Sequence, residues 1–473
     1  MGTINSALGI ITGALDADQS ALNIVANNVA NANTTGYTQE VPNWQENQPI
    51  EIDGASYGTG VTQTGPTSVR DSVLEARLAQ QQQLASASGS RLTALNALQA
   101  LFTPASGSSS STAGDIGSDI TSFFDSLSSL EANPTENALR QQVLSTATTL
   151  SGDVSNAAAS LNSQQSALDQ DATGVMSQVN ALTASIAQLN QQIQSISPDA
   201  DAGTLEDQRQ QDLSQLSKLI GINRITGNDN GLSITTTSGQ LLVADSQSFQ
   251  MTSGTVNGVT HFFVGNTDIT SQLASGGGEL GGELTARDSD IPNVMGQLDQ
   301  LAYSIETQVN NLNNTGTDLN GVTGTVANPL YIFNEPAVVA GSALNMSVTM
   351  TDPGQIAAAG LGQDTGDNSN AIAMYNLSNQ GTVNGQTPTD FYSNLVSTLG
   401  STVSGVQAEN TAQNASVTQL QTQNNSLSSV NLNDEASFMQ QFERSYQAAS
   451  QVFTMLDTIM ASAVNLGNST AVS

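Results

Sequence analysis

Residues 4–36 read INSALGIITGALDADQSALNIVANNVANANTTG. Ile4, Leu8, Ile11, Leu15, Leu22, Val25 and Val29 alternate at spacings of four and three once Asp18, the one polar member, is counted. That spacing predicts an amphipathic helix with a heptad seam. Thr34–Thr35–Gly36 places a glycine suited to a left-handed turn after two β-branched residues, so the helix should stop near Asn33. The opposite end repeats the pattern in Phe438, Phe442, Ser445, Ala449, Val452, Leu456, Ile459, Ala463 and Leu466. Asn433 is its predicted N-cap, with Asp434 and Glu435 in an acidic first turn. One apolar stripe does not offset the entropy of ordering a lone helix of this length. The two ends therefore predict pairing with each other, and with further copies of the chain. An intramolecular hairpin that closes a bundle has the same periodicity.

Working inward, Ser72–Phe102 carries a helical pattern in Leu74, Leu78, Leu92, Leu95, Leu98 and Leu101, followed by a Ser-rich linker at Ser106–Ser111. Asn133–Pro134–Thr135–Glu136 has the order of a cap, an N-terminal proline and a carboxylate three residues on. The long helix it predicts closes with unbroken four–three spacing from Leu168 to Ile196 and stops at Ser197–Pro198. A shorter helix, Leu205–Leu219, ends at Gly221. Short β-branched runs then flank Ser238–Gly239 and Asn257–Gly258, which is hairpin chemistry. Helix returns at Pro292–Leu312, and Thr387–Pro388–Thr389–Asp390 restarts it toward the C-terminus.

These readings divide the chain into an N-terminal helix (1–40), an extended connector (41–71) with short strand candidates at Pro49–Ile52 and Gly60–Thr64, and the first part of a helical rod (72–221). A small antiparallel β domain (222–282) and a return helix (283–315) follow. A second irregular insertion (316–386) has a strand candidate at Leu344–Met350. The rod's last part (387–430) and a C-terminal helix (431–473) complete the chain. The fold class expected is mainly α with β insertions: a long coiled-coil-like helical rod formed by the N- and C-terminal segments, carrying one or two small β-rich lateral domains.

Composition narrows the function. Among 473 residues, nine Lys+Arg against 41 Asp+Glu leave a net charge of −32. The basic residues are too scattered to neutralise phosphates, so neither nucleic acid nor an anionic membrane surface is an expected partner. No apolar run reaches the roughly 18 residues of a membrane span, so no membrane insertion is expected. The first basic residue is Arg70, and the N-terminus thus lacks the positive region of a cleaved signal peptide. Without cysteine there is no disulfide, thiolate or Cys-ligated metal, and a single histidine rules out a His cluster.

Candidate chemistry is thin. Gly276–Gly277–Gly278–Glu279–Leu280–Gly281 meets the G-x-G-x-x-G spacing without the βαβ rhythm a dinucleotide loop needs, and reads as a flexible lead into a helix. His261 lies in a predicted strand without a nucleophile elbow, and Asp364, Asp367 and Asn368 lack the order of an EF-hand loop. Asn345–Met346–Ser347 has the glycosylation spacing and nothing more. No catalytic residue, metal or cofactor is expected, and no enzyme activity. The lone Trp44 suits either an ordinary core or an anchor against a neighbouring subunit. Asp18 and Ser445 suit either register setting or a water-filled channel.

The segment Ala26–Asn27–Asn28–Val29–Ala30–Asn31–Ala32–Asn33–Thr34–Thr35–Gly36–Tyr37–Thr38 resembles the N-terminal signature of bacterial flagellar axial proteins, the rod, hook and hook-associated family. Val430–Asn431–Leu432–Asn433–Asp434–Glu435 and Phe442–Glu443–Arg444–Ser445–Tyr446–Gln447–Ala448–Ala449 resemble its C-terminal signature. Phe123–Pro134 and Gly281–Asp288 are similar to the hook-associated members that join hook to filament. Gln39 departs from the family's usual basic residue at that position.

The resemblance implies a structural subunit exported unfolded through the flagellar type III channel. It implies a ring-like homo-oligomer, secreted and extracellular, between the flagellar hook protein and a second hook–filament junction protein. Paired terminal helices would form an inner tube, with Asn28, Asn31, Gly36 and Tyr37 as the family motif. A cytoplasmic export chaperone would cover the C-terminal segment, with Phe438, Phe442, Val452, Phe453 and Leu456 as contacts. The alternatives are another axial subunit (hook or distal rod), against which the long segment Glu136–Ile196 argues, and a secreted adhesive or host-contact protein.

Overall fold

The computed structural model describes residues 2–52, 54–102, 115–196, 201–227 and 230–469, so Ser106–Ser111 and Ser197–Pro198 lie outside the described residues. Helix α1 (Gly2–Asn31) leads into a two-stranded ribbon. Strand β1 (Glu40–Glu46) pairs antiparallel with β4 (Val61–Ser68), and β2 (Ile50–Ile52) with β3 (Ala55–Tyr57) extends the ribbon outward. The strand candidates Pro49–Ile52 and Gly60–Thr64 fall on β2 and β4, and the connector as a whole is a β ribbon. Pro42 and Pro66 obscure its full length in sequence. They face each other across the ladder, and two-stranded ribbons, being all edge, tolerate proline.

Helices α2 (Ser72–Phe102), α3 (Ile116–Ala132), α4 (Asn137–Ile196) and α5 (Thr204–Leu219) follow. Asn133 closes α3 instead of capping α4. The Glu136 N–H donates to the Asn133 carbonyl at 3.1 Å, making Pro134–Thr135 a turn that delays α4 to Asn137.

The lateral β domain holds two antiparallel sheets. The first orders β5 (Ile222–Thr226), β6 (Leu232–Thr236), β7 (Leu241–Ala244) and β8 (Gln247–Ser248); the second orders β9 (Met251–Val256), β10 (Val259–Val264) and β11 (Thr267–Asp268). At the β9–β10 turn Asn257 and Gly258 both take positive φ, as a tight hairpin requires. The sheets stop at Asp268, short of the expected 282. Helices α6 (Thr270–Gly276) and α7 (Gly278–Thr285) and a π-helical turn, Ala286–Asp290, then lead into α8 (Ile291–Thr315). The expected flexible glycine lead, Gly276–Gly281, instead ends α6 and opens α7, and a Cβ on Gly278 would lie 2.5 Å from the Ile220 Cα. A Cβ on Gly282 would lie 2.2 Å from the Ala87 carbonyl oxygen of α2, so only glycine lets these backbones meet.

The second insertion contains only short helices, among them α9 (Ser342–Asn345) and α10 (Ser369–Asn376). The strand candidate Leu344–Met350 is not a strand: Leu344 belongs to α9, and the segment adds one bridge, Phe333 to Val348. The insertion folds into the main core, burying Ile332, Phe333, Met346 and Ile356 beside Phe123, Leu301 and Ile305. Side-chain amides of α8 satisfy its irregular backbone. Asn310 bonds both the N–H and the carbonyl of Phe333, at 2.9 and 3.0 Å, and Asn313 bonds the Leu330 carbonyl at 2.7 Å and the Ala357 N–H at 2.8 Å.

Two long helices close the chain, α11 (Pro388–Ser428) and α12 (Leu432–Ser469). Thr387 caps α11, accepting from the Asp390 N–H at 3.1 Å. Asn431 caps α12, two residues before the expected cap, and accepts from the Asn433 N–H at 3.0 Å. The rod's main core joins α2, α3, α4, α8 and α11; a second core seats the β domain on α4, α5 and α7. A third, small core holds Ala21, Val25 and Phe442, where α1 meets α12.

Candidate functional site

The pairing of α1 with α12 divides the apolar surface of α12. Phe442, Ala449 and Leu456, seven residues apart, form a central column. Together with Met439, Phe453 and Met460, one step to one side, they make the buried or half-buried face of α12. Phe438, Val452 and Ile459, one step to the other side, are exposed, as are Met455 and Val464. Leu466 lies in the helix, but its side chain is outside the described residues. On α1, Val25 is buried, Ile4, Leu8, Ile11, Leu15 and Leu22 are half-buried, and Val29 is exposed. Asp18 is buried with Oδ2 unpartnered, whereas Ser445 is exposed.

A polar knot locks this pair to the ribbon. Asn28, 1% exposed, donates from Nδ2 to the Glu40 carbonyl at 2.8 Å and to Glu435 Oε1 at 3.1 Å. Its Oδ1 accepts from the Tyr37 hydroxyl at 2.8 Å and the Glu40 N–H at 3.0 Å. One side chain therefore joins α1, the loop after it, β1 and α12, with its hydrogen-bonding capacity filled. Gln39 adds Nε2 to Glu435 Oε1 at 2.7 Å, and its N–H reaches the Ser428 carbonyl at the end of α11 at 2.8 Å. Burial, then the charges of Glu40, Asp207 and Glu435, push the Tyr37 phenol above its ordinary pKa, so it remains a donor. The other motif residues act locally. Asn31 donates back to Asn27 at 2.9 Å, and Gly36 takes φ +84° to turn the chain out of α1.

A second tie joins the ribbon root to α5. Asp207 accepts from the Thr38 N–H at 3.1 Å and pairs with Arg70, while Asp201 accepts from the Ser68 N–H. Burial, and then Asp201 and Asp207, raise the Glu40 carboxyl above the usual range. Asp207 is also raised, by burial first, against the opposing pull of Arg70 and Thr38.

The remaining sequence candidates have structural surroundings. His261 Nδ1 lies 2.6 Å from Asp268 Oδ2 on the adjacent strand, with no serine hydroxyl bonded to the imidazole among the described residues. Asp367 accepts from the N–H groups of Gly360 and Ser369, at 2.9 and 3.1 Å, and so ties a loop to the start of α10. Trp44 packs edge-on against Phe442, ring centres 5.8 Å apart. Sequence reasoning missed Gln39, Glu40 and Glu435 as members of the knot. The only signal was their position beside the two end motifs.

Comparison with known proteins places these features among relatives. The profile described as "Flagellar hook-associated protein FlgK helical domain" matches residues 106–326, and that of "Flagella basal body rod protein" matches residues 10–38. Flagellar hook-associated protein 1 of Escherichia coli (strain K12) is 25% identical over 98% of this chain and 99% of its own. Its counterpart in Bacillus subtilis (strain 168) is 26% identical over 96% of each. The solved flagellar hook junction protein FlgK from Burkholderia pseudomallei shares the fold with a TM-score of 0.64 at 18% identity, covering 73% of this chain and 99% of that one.

Proposed function

Since the chain belongs to the family of flagellar hook-associated protein 1, we propose that it builds the hook–filament junction by self-assembly through α1 and α12. The observation that carries this reading is the unpartnered flank of α12. Phe438, Val452, Met455 and Ile459 stay exposed after α1 has taken the opposite flank. Helices in a tube have neighbours on both sides, and a second apolar flank is what such packing requires. The assembly seam comprises Ile4, Leu8, Ile11, Leu15, Leu22, Val25 and Val29 on α1, with Phe438, Phe442, Ala449, Val452, Leu456, Ile459 and Leu466 on α12.

The same apolar surface is a hazard before assembly, which supports a cytoplasmic export chaperone over Phe438, Phe442, Val452, Phe453 and Leu456. Export through the flagellar type III channel and an extracellular position at the junction follow from the same reading. So do contacts with the hook protein on one side and the second junction protein on the other. The role is structural, without enzymatic activity or cofactor. A strain lacking the gene should carry hooks without filaments under the electron microscope; normal swimming filaments would exclude the proposal. A chaperone contact predicts that Phe438→Ser with Val452→Ser weakens capture of the unassembled chain.

A further inference from the structure

A cleft of about 280 Å³ opens between β1 and α12, lined by Val41, Pro42, Trp44, Phe438, Phe442 and Glu435 among others. Trp44 and Phe438 are 41% and 42% exposed, so their rings are open to an incoming group. Glu435 differs from the rest of the lining. It is 1% exposed, its Oε1 receives Asn28 and Gln39, and its Oε2 is buried with no hydrogen-bond partner. An unpartnered buried carboxylate oxygen is costly and calls for a donor. Aromatic faces beside a carboxylate select a cation, and a guanidinium above all.

The terminal segments hold one cation. Across residues 1–69 and 431–473 the sole basic residue is Arg444. It is exposed on α12, without an ion pair or hydrogen bond among the described residues. It cannot serve its own Glu435. Nine residues separate them on one helix, which at about 100° and 1.5 Å per residue puts them on opposite faces about 13 Å apart. We infer that Arg444 of one copy enters the Trp44–Phe438–Phe442 cleft of the next and pairs with its Glu435. The contact is head-to-tail, the kind that propagates around a ring or along a tube. This inference rests on the reading that copies assemble through their terminal helices.

The test uses Arg444→Glu, Arg444→Lys and a photo-crosslinking benzoylphenylalanine at position 444, each in the full chain expressed in the gene-deletion strain. Arg444 is exposed and makes no ion pair or hydrogen bond in its own chain among the described residues, so the purified variants should melt as the wild type does. Arg444→Glu should lower the amount of the protein retained in isolated hook–filament structures by at least about tenfold, the effect of losing one partner of a desolvated pair. Arg444→Lys should restore most of it. Irradiated flagella should give copy-to-copy crosslinks mapping to peptides with Trp44, Phe438 or Phe442. Wild-type retention of Arg444→Glu, or crosslinks that map elsewhere, would overturn the pairing. Filaments on the gene-deletion strain itself would instead overturn the junction reading beneath it.

Discussion

Replacing Asn28 with Ala removes four hydrogen bonds through one side chain and leaves the rod core untouched. The Tyr37 hydroxyl, the Glu40 N–H and carbonyl, and Glu435 Oε1 each lose a partner. A buried group left unpaired costs about 1–3 kcal/mol, and water entering the space left by the amide recovers part of that, so the knot should weaken by roughly 3–5 kcal/mol. Against this loss the terminal pair sets a small core, Ala21, Val25 and Phe442 with Leu22 and Met439 packed on it, and a half-buried seam beyond. At 1.4 kcal/mol per tenfold, protection of its amides should fall by about two to three and a half orders of magnitude. Hydrogen exchange read by mass spectrometry on peptides spanning 17–25 and 435–442 gives the effect, and peptides around Leu150 and Leu161 serve as the internal control. Trp44, the only tryptophan in the chain, packs on Phe442 and reports the same release by fluorescence. If terminal protection stays within about threefold of wild type, or the rod loses protection equally, Asn28 is not the lock described.

Gln39→Lys should place an ammonium beside Glu435 and strengthen the terminal pair by about 1–2 kcal/mol, seen as slower exchange in the same peptides. Gly282→Ala should destabilise the rod by about 1–3 kcal/mol or more in urea titration, because its new methyl would overlap the Ala87 carbonyl. The pH dependence follows from Glu306, 1% exposed with both carboxylate oxygens unpartnered, whose pKa burial raises from 4.5 to about 8. A raised folded-state value means that the native chain holds a proton the unfolded chain has released. Stability should therefore be greatest below about pH 4.5 and fall toward pH 8, by up to about 1.4 kcal/mol per pH unit for this group. Glu306→Gln should flatten that slope by one proton in denaturation curves taken at pH 5, 6, 7 and 8. An unchanged slope would mean that Glu306 ionises inside the fold.

Much of the architecture is legible in sequence because it repeats. The helices at both ends, α2, the closing half of α4 and the β9–β10 turn each follow from periodicity or from a residue with special backbone freedom. Local chemistry misled at the start of α4, where Asn133–Pro134–Thr135–Glu136 fits a cap but forms a turn, and at the start of α12, where Asn431 takes the place expected of Asn433. In both, two neighbouring residues can satisfy the same helix end, and the chain's route decides between them.

Sequence by itself determined that this protein is a helical rod with two apolar ends, a lateral β domain and the signatures of flagellar axial subunits. Tertiary structure alone decided what the irregular parts do. The second insertion has no period, because amides of Asn310 and Asn313 supply the hydrogen bonds that a regular helix or sheet would make for itself. The ribbon closes despite its prolines because it has no inner strand. The flank of α12 that stays open depends on where α1 lies, and α1 is held by a side chain, Asn28, whose partners are scattered from Tyr37 to Glu435. Periodicity records what a segment does with its own neighbours. Partners hundreds of residues apart meet only when the whole chain has folded.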